Sequence, residues 1–166
     1  SGGLTLLVRL AEKMLRRHPR YITLLAPFIC YIFTFMSGTG HVVYSLLPVI
    51  SEVARDSGIR PERPLSISVI ASQQAITASP ISAAMAAMIG LMAPFGISIS
   101  TIMMICVPAT LIGVATGALA TFNKGKELKD DPEYQRRLAE GLLKPNGKAE
   151  LSTEIAPHAK LSVLLF

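Results

Sequence analysis

Residues 65–123 contain no Asp, Glu, Lys, Arg or His. A stretch of this length can cross a bilayer twice, because one helical crossing takes about 20 residues. An earlier stretch, residues 21–51, carries His41 as its one side chain of these five kinds. The pattern therefore predicts an all-α integral membrane protein, and its function should lie where the apolar runs are interrupted.

The alternation of apolar runs with short polar segments predicts a series of helices. Residues 4–18 are amphipathic, with apolar side chains at i, i+3 and i+4, and Pro19 should end this helix. Two interpretations of this helix stay open, a helix lying on the membrane surface and the cytoplasmic tail of a preceding span. The other predicted helices are residues 21–36, 42–53, 65–77, 81–92, 97–122 and, after the N-cap Asp131, residues 132 to about 143.

Proline and glycine indicate where these helices end and touch. Pro61 and Pro64 predict a rigid polar turn over residues 60–64, through which no helix should continue. Gly113 and Gly117 form a GxxxG pair, which we expect to pack against a neighbouring helix.

The basic residues are confined to three segments. All 16 Lys and Arg residues lie in residues 9–20, 55–63 and 124–160, and the net charge is +5. Basic segments beside apolar runs are typical of cytoplasmic loops, so nucleic acid is not an expected partner. If the three segments share one side, residues 21–54 form a re-entrant helical hairpin. A single crossing by residues 21–54 is the competing topology, and it is less favoured because it separates the basic segments.

These patterns divide the chain into four parts. The membrane part contains the hairpin, a broken span over residues 65–92 and a second span over residues 97–122. The four parts are an interfacial helix (1–20), the membrane domain (21–122), a cytoplasmic loop with a short helix (123–160) and the start of a further span (161–166).

Two interruptions of the apolar runs form the candidate site. Irregular backbone at membrane depth leaves N–H and C=O groups unpaired, so it survives only beside protein or a water-filled cavity. Each interruption alone is explained by close helix packing or by a proline kink, but two together favour a binding site. They are Ser37-Gly38-Thr39-Gly40-His41 and Thr77-Ala78-Ser79-Pro80.

The residue types in these breaks suit an anion. Ser79 and Pro80 predict the N-cap and first position of helix 81–92, and another helix begins after His41. Each helix N-terminus carries about half a positive charge. Close backbone approach and hydroxyl donors are expected from Gly38, Gly40, Ser37, Thr39, Thr77 and Ser79.

Three more polar side chains extend the candidate site. Gln73 and Gln74 lie one turn before the second break, and one of them should face the cavity because polar side chains in a span usually point inward. His41 is interpreted either as a proton-sensing or donor group or as a polar residue at the hairpin tip. No metal or phosphate-loop motif occurs in the sequence, so neither cofactor nor enzyme activity is expected.

Several runs closely resemble the anaerobic C4-dicarboxylate transporter (Dcu) family of bacteria. The resemblance covers residues 1 to about 143, and residues 144–166 do not match well. The runs that carry it are residues 11–17, 37–44, 47–50, 60–65, 76–84 and 130–134.

The resemblance implies a bacterial inner-membrane antiporter that exchanges fumarate, malate or aspartate for succinate in anaerobic metabolism. It also implies the plan of the ion transporter superfamily, in which inverted repeats each supply a re-entrant hairpin and a broken helix. Residues 38–41 look like one subgroup of the family and residues 77–84 like another, so the choice between exchange and uptake stays open. The family's chains are more than twice this length, so the C-terminal repeat of the same chain would complete the site.

Two other functions stay open beside dicarboxylate transport. One is a carrier of another organic or metalloid anion, and the other is a membrane partner of a dicarboxylate sensor kinase. The expected partners are a dicarboxylate and the lipid bilayer, while a sensor kinase, a second copy of the chain and the coupling ion, proton or sodium, are left open.

Overall fold

The computed structural model describes residues 3–142, and every regular element within them is a helix. Short 3₁₀ helices at Pro19–Tyr21, Ala93–Phe95 and Leu128–Asp130 join the longer ones. The α-helices are α1 (Gly3–Arg17), α2 (Ile22–Ser37), α3 (Val42–Asp56), α4 (Glu62–Ala78), α5 (Ala83–Met92), α6 (Ile99–Phe122) and α7 (Pro132–Ala139).

The first three helices pack together. Leu15 of α1 is buried in a core shared with α2 and α3. Arg16 donates to Glu12 (2.8 Å) and also to Glu52 (2.8 Å) and Asp56 (3.3 Å) at the end of α3. The hydrogen bond to Glu12 is the main reason that the pKa of Arg16 is raised. Since α2 begins where α1 ends, α2 and α3 run in opposite directions as a helical hairpin.

Helix α4 packs against both α2 and α6. Two hydroxyl pairs join these helices inside the core, Thr34 of α2 with Ser72 of α4 and Tyr31 of α2 with Thr110 of α6, each at 2.8 Å. A hydroxyl can both donate and accept, so these buried polar groups are satisfied without any charge.

The GxxxG pair contacts α4 through one of its two glycines. A Cβ at Gly117 would lie 2.7 Å from Ile67 Cδ1, whereas a Cβ at Gly113 would meet no atom of the described chain within 4 Å. The packing prediction is therefore confirmed for Gly117 only. Val114 and Ala118, both fully buried, supply the rest of this contact face.

The turn before α4 is shorter than the sequence predicts. Helix α4 begins at Glu62 rather than after Pro64, so the expectation that residues 60–64 all form a turn is wrong. Proline is tolerated there because N–H groups in the first turn of a helix have no intrahelical acceptor. The extra turn places Arg63 on α4.

Arg63 ties the start of α4 to the end of α6. Its side chain is 7% exposed and donates to the backbone oxygens of Phe122 (3.4 Å), Lys124 and Gly125 (2.7 Å). It also donates to the carboxylate of Glu127 at 2.7 Å. The last turn of α6 contains no basic residue, so Arg63 supplies the cation that a helix C-terminus favours.

The described charged segments meet at one end of the helix bundle, which we call the polar end. The end of α1 contacts the end of α3 through Arg16, and the start of α4 contacts the end of α6 through Arg63. Arg60 reaches Asp131, the N-cap of α7, at 3.3 Å. Residues 22 and 56 therefore lie at the same end of the bundle, and re-entry of residues 21–54 into a membrane stays a prediction.

Three helical stretches within residues 3–142 are long and apolar enough to cross a membrane: Pro19–Ser37, Glu62–Phe95 and Ile99–Phe122. Helix α6 has 24 residues and continues through Pro108, so it is about 36 Å long. That exceeds the roughly 30 Å hydrocarbon core of a bilayer. Large apolar side chains are exposed along α5, α6 and their connection: Leu91, Phe95, Met104, Ile105, Ile112 and Leu119.

The last described helix begins as predicted and ends early. Asp131 caps α7 by accepting from the N–H groups of Glu133 and Tyr134. The helix ends at Ala139, before the predicted limit near residue 143, because Gly141 adopts a left-handed conformation with φ 69. The predicted start of a further span at residues 161–166 lies outside the described residues.

Candidate functional site

The two breaks predicted from sequence lie against each other. Gly38 ends α2 with φ 68, a left-handed conformation that favours glycine. A Cβ at Gly38 would lie 3.0 Å from the carbonyl oxygen of Ile81, in the second break. The hairpin tip therefore approaches the backbone between α4 and α5 too closely to leave room for a side chain.

Gly40 makes a second close approach, to the side of α4. A Cβ at Gly40 would lie 3.3 Å from Gln73 Nε2 and 3.5 Å from Ser72 Oγ. Of the two glutamines considered from the sequence, Gln73 is therefore the one that lies against the hairpin tip. Gln74 is also exposed, one position further around the helix.

Ser79 fastens the second break to α2. Its side chain is fully buried, and its hydroxyl donates to the carbonyl oxygen of Phe35 at 2.6 Å. That carbonyl belongs to the last turn of α2, where oxygens lack intrahelical partners. Ser79 is also the C-cap of α4, with extended backbone at φ −72 and ψ 128.

The predicted N-cap of the helix after this break is wrong. Helix α5 begins at Ala83 rather than at residue 81, and its N-cap is Ser82, whose hydroxyl accepts from Met85 N at 3.0 Å. The same hydroxyl donates to the carbonyl oxygen of Ser79 at 3.0 Å. Both serines precede an apolar run, but Ser79 is the C-cap of α4 and lies four residues before the first residue of α5, too far to cap it.

The exposed polar side chains around the contact come from both breaks and from α4. Ser37 is partly buried, and its hydroxyl bonds to the backbone oxygens of Thr34 and Thr39. Ala78 is buried and Pro80 is partly buried. The exposed members of the predicted set are Thr39, His41, Gln73, Gln74 and Thr77.

The electrostatics of this region come from dipoles, since residues 65–123 carry no charge. Helix α3 begins at Val42, and no side chain caps its N-terminus. The N–H groups of Val43 and Tyr44 donate to the backbone oxygens of Gly40 and His41 at 3.2 Å, so what this end offers an anion is mainly the partial positive charge of the helix dipole. Neutral donors such as Gln73 and Thr77 lie on one face of α4, four residues apart. The arrangement can hold a small anion without a bound counter-charge.

Three structural contributors were not identified from the sequence. Ser72 and Thr34 pair across the helices that carry the two breaks, and Ser82 caps α5. An N-cap preference for serine could have pointed to Ser82. The hydroxyl pair had no local signal, because its members are separated by 38 residues.

The described part of the chain offers no candidate metal site. No group of three or more His, Cys, Asp or Glu side chains within residues 3–142 is arranged to hold a metal ion. Cys30 and Cys106, both in apolar helices, are free thiols.

Comparison with known proteins places these features in a family. The family described as an anaerobic C4-dicarboxylate membrane transporter matches residues 1–166. The C4-dicarboxylate transporter DcuA of Wolinella succinogenes is 47% identical over 166 residues, and DcuA of Escherichia coli (strain K12) is 46% identical over 167 residues. Both matches cover 100% of this chain and 38% of the relative.

A second branch of the family is more distant. The anaerobic C4-dicarboxylate transporter DcuB of Escherichia coli O6:H1 is 39% identical over 141 residues, covering 82% of this chain and 32% of that protein. No solved structure matches this chain.

The sequence resemblance is confirmed, and its predicted limit near residue 143 is wrong, because the family and the DcuA proteins match the chain to its last residue. The chain thus spans a little over a third of the length of its curated relatives. With three candidate membrane spans and a match over every residue, the chain belongs to the DcuA_DcuB family of anaerobic C4-dicarboxylate membrane transporters, a family of carriers and not of enzymes.

Proposed function

We propose that the full-length protein is a secondary transporter that exchanges four-carbon dicarboxylates across the bacterial inner membrane. Fumarate, malate or aspartate would enter in exchange for succinate. The names of the DcuA and DcuB relatives, both C4-dicarboxylate transporters, support the dicarboxylate class. The exchange mode and the individual acids rest on the family resemblance of the sequence.

The observation that carries this proposal is the contact between two helix breaks in a charge-free helical region. Gly38 lies against Ile81, and Ser79 bonds to Phe35, so the two breaks form one unit. Discontinuous helices at membrane depth are where secondary transporters bind substrate and coupling ions. The unit therefore offers one half of a substrate site, and a C-terminal repeat would supply the other.

Within this unit we assign the substrate contacts to the exposed donors. Thr39, Gln73 and Thr77 would donate to a carboxylate, and the N-terminus of α3 would add its partial charge. His41 is proposed as a donor at the hairpin tip. Positioning roles fall to the buried or packed members of the set, namely Ser37, Gly38, Gly40, Ala78, Ser79 and Pro80.

Weak, neutral contacts suit exchange. A buried arginine would hold a dicarboxylate through strong, charge-assisted hydrogen bonds. A neutral hydroxyl or amide donor adds no charge of its own and makes only one bond to the carboxylate, which contributes about 1.5 kcal/mol. Substrate can then leave on either side of the membrane.

The length of α3 supports a re-entrant hairpin. It has 15 residues, so it is about 22 Å long, short of the roughly 30 Å hydrocarbon core, and it is not among the three stretches that are long and apolar enough to cross. The proposed division keeps an interfacial helix at 1–20, the membrane domain at 21–122 and a cytoplasmic loop from residue 123. Alternating access would come from movement of this unit against an inverted C-terminal repeat.

The test is counterflow with the full-length protein in liposomes preloaded with unlabelled succinate. Entry of labelled fumarate is followed for the wild type, Gln73→Leu and Thr77→Val. Thr116→Val is the matched control, because Thr116 is exposed on α6 and bonds within its own helix. We expect KM to rise about tenfold in the first two variants, as for loss of a hydrogen bond to a charged group, and to stay unchanged in the control.

Each possible result of the counterflow experiment tests a different part of the proposal. Entry that does not depend on internal succinate would replace exchange with ion-coupled uptake. Entry of no four-carbon acid at all would overturn the substrate class. If Thr116→Val were as impaired as Thr77→Val, the effect would not be specific to the breaks, and they would no longer be the proposed site.

A further inference from the structure

A cleft of about 430 Å³ opens at the polar end, far along α4 from the two breaks. It lies where the end of α3, the start of α4 and the beginning of α7 meet. Charged side chains of both signs line it, together with four less polar ones. Its lining includes Arg55, Arg60, Glu62, Asp131, Glu133 and Arg137.

Most of these charges neutralise one another. Arg60 donates to Glu62 and to Asp131, and its pKa is raised mainly by the hydrogen bond to Glu62. Arg137 donates to Glu133 at 2.7 Å. The pKa of Glu133 is lowered to about 2 by Arg136 and Arg137, so this carboxylate stays ionised at neutral pH.

The three arginines and three carboxylates of the lining balance in charge, but Arg55 is the one of these six side chains that forms no ion pair within residues 3–142. It is partly buried, and its Nε is shielded from solvent without a hydrogen-bond partner among the described residues. None of the three carboxylates in the cleft lies in an ion pair with it. A donor on a charged group that has neither a protein partner nor water is unfavourable, and an anion bound to the same guanidinium would offset that cost.

The position of the cleft in the chain indicates which anion fits. Leu65, the first residue of the charge-free stretch, lines it, and so does Glu62, where a candidate membrane span begins. The cleft therefore straddles the border between the apolar and charged parts of the molecule. Phosphate headgroups lie at this level of a bilayer, and basic pockets between spans bind them.

We propose that this cleft binds a phosphate group, carried by the headgroup of an anionic phospholipid or by a free phosphate compound, and that Arg55 is the residue that pairs with it. The guanidinium fork suits two phosphate oxygens at once. Leu65 and Leu128 would contact the apolar part of a lipid. This site is distinct from the transport site, and it does not depend on the proposed exchange of dicarboxylates.

The experiment uses the full-length protein, purified in a neutral detergent and freed of lipid. Binding is measured from the shift in thermal unfolding over a concentration series of each probe. The probes are dioctanoyl phosphatidylglycerol, dioctanoylglycerol, inorganic phosphate and succinate. The variants are Arg55→Gln, Arg55→Lys and, as a matched control, Lys129→Gln, which removes an exposed cation outside the cleft.

We expect phosphatidylglycerol to bind and dioctanoylglycerol not to. Arg55→Gln should weaken binding at least tenfold, the loss expected for one charge-assisted hydrogen bond. Arg55→Lys should retain part of the affinity, because it keeps the positive charge. Lys129→Gln should bind like the wild type. Arg55-dependent binding of inorganic phosphate would assign the site to free phosphate compounds, and binding of the lipid alone would assign it to headgroups.

Three results would overturn the proposal. If Arg55→Gln and the wild type bound the probes with equal affinity, Arg55 would not contact the anion. Arg55-dependent binding of succinate without binding of phosphate would make the cleft a carboxylate site. Binding of no probe would leave Arg55 paired with another part of the full-length chain.

Discussion

Gly38 satisfies two constraints that no other residue type can meet together. Its φ of 68 is costly for a residue with a Cβ, by about 1–2 kcal/mol. Its Cα also faces the Ile81 carbonyl, where a Cβ would be only 3.0 Å from the oxygen. Gly96 shares the first constraint, with φ 66, but nothing lies within 4 Å of its Cβ position. Comparing Gly38 with Gly96 therefore distinguishes the cost of a left-handed backbone from the cost of the contact between the two breaks.

Alanine at these two glycines should therefore have unequal effects. We expect Gly96→Ala to lower the free energy of unfolding by about 1 kcal/mol from backbone strain alone. Gly38→Ala should lower it by about 2–4 kcal/mol, because a clash with fixed backbone adds the cost of overpacking. Thermal or denaturant unfolding of the purified full-length variants measures both. Equal losses would mean that the two breaks do not touch.

Individual candidate residues could be named from the sequence, but their hydrogen-bond partners could not. The exposed positions of Thr39, Gln73 and Thr77 agree with polar residues that interrupt an apolar run. The local sequence predicts Ser79 as a helix N-cap, but its hydroxyl instead donates to the carbonyl oxygen of Phe35, 44 residues away. Such a partner depends on how α2 lies on α4, which no local pattern encodes.

At the scale of elements, α6 depends on α4 at its C-terminal end. The carbonyl oxygens at the end of a helix lack intrahelical donors, and α6 has no basic residue in its last turn. Arg63 covers this end with donors to three backbone oxygens. The contact joins the first turn of one predicted span to the end of another, so it should set how the two helices are aligned lengthwise.

Removing this arginine should destabilise the helix bundle. We expect Arg63→Met to lower the free energy of unfolding by about 3 kcal/mol, since several charge-assisted hydrogen bonds are lost and buried acceptors remain unpaired. Arg63→Lys should lose less, because the ammonium keeps the charge but cannot span three oxygens. Lys126→Met, at an exposed cation nearby, serves as control. A loss no larger for Arg63→Met than for Lys126→Met would contradict the capping role.

For the whole molecule, the charged segments converge on one end and the opposite connection carries no charge. Ala93–Phe95 and Gly96, between α5 and α6, are fully exposed and uncharged. Arg16, Arg60 and Arg63 link five helix termini at the polar end. This asymmetry along the bundle axis is what the positive-inside rule associates with a fixed orientation in the membrane.

Labelling of single cysteines should show this orientation. In a full-length, otherwise cysteine-free protein, we expect Ser57→Cys and Lys126→Cys to react with an impermeant maleimide from the same side of the membrane. Phe95→Cys should react from the opposite side, because one broken span separates it from residue 62. Inside-out and right-side-out vesicles provide the two sides. Reaction of Arg17→Cys, which precedes residue 21, from the side opposite to Ser57→Cys would instead support a single crossing by residues 21–54.

The sequence by itself determined the membrane class, the family, the number of helices in the described region and the positions of both breaks. These follow from composition and from short-range periodicity, because a bilayer excludes charge and a helix repeats every 3.6 residues. The tertiary structure decided that the breaks touch and that Ser82 rather than Ser79 caps α5. It also decided that Arg63 bonds to the end of α6, while Arg55 has no ion-pair partner within residues 3–142. These contacts join side chains and carbonyl groups that lie tens of residues apart in the sequence. They form only once the helices have packed, so no local sequence pattern predicts them.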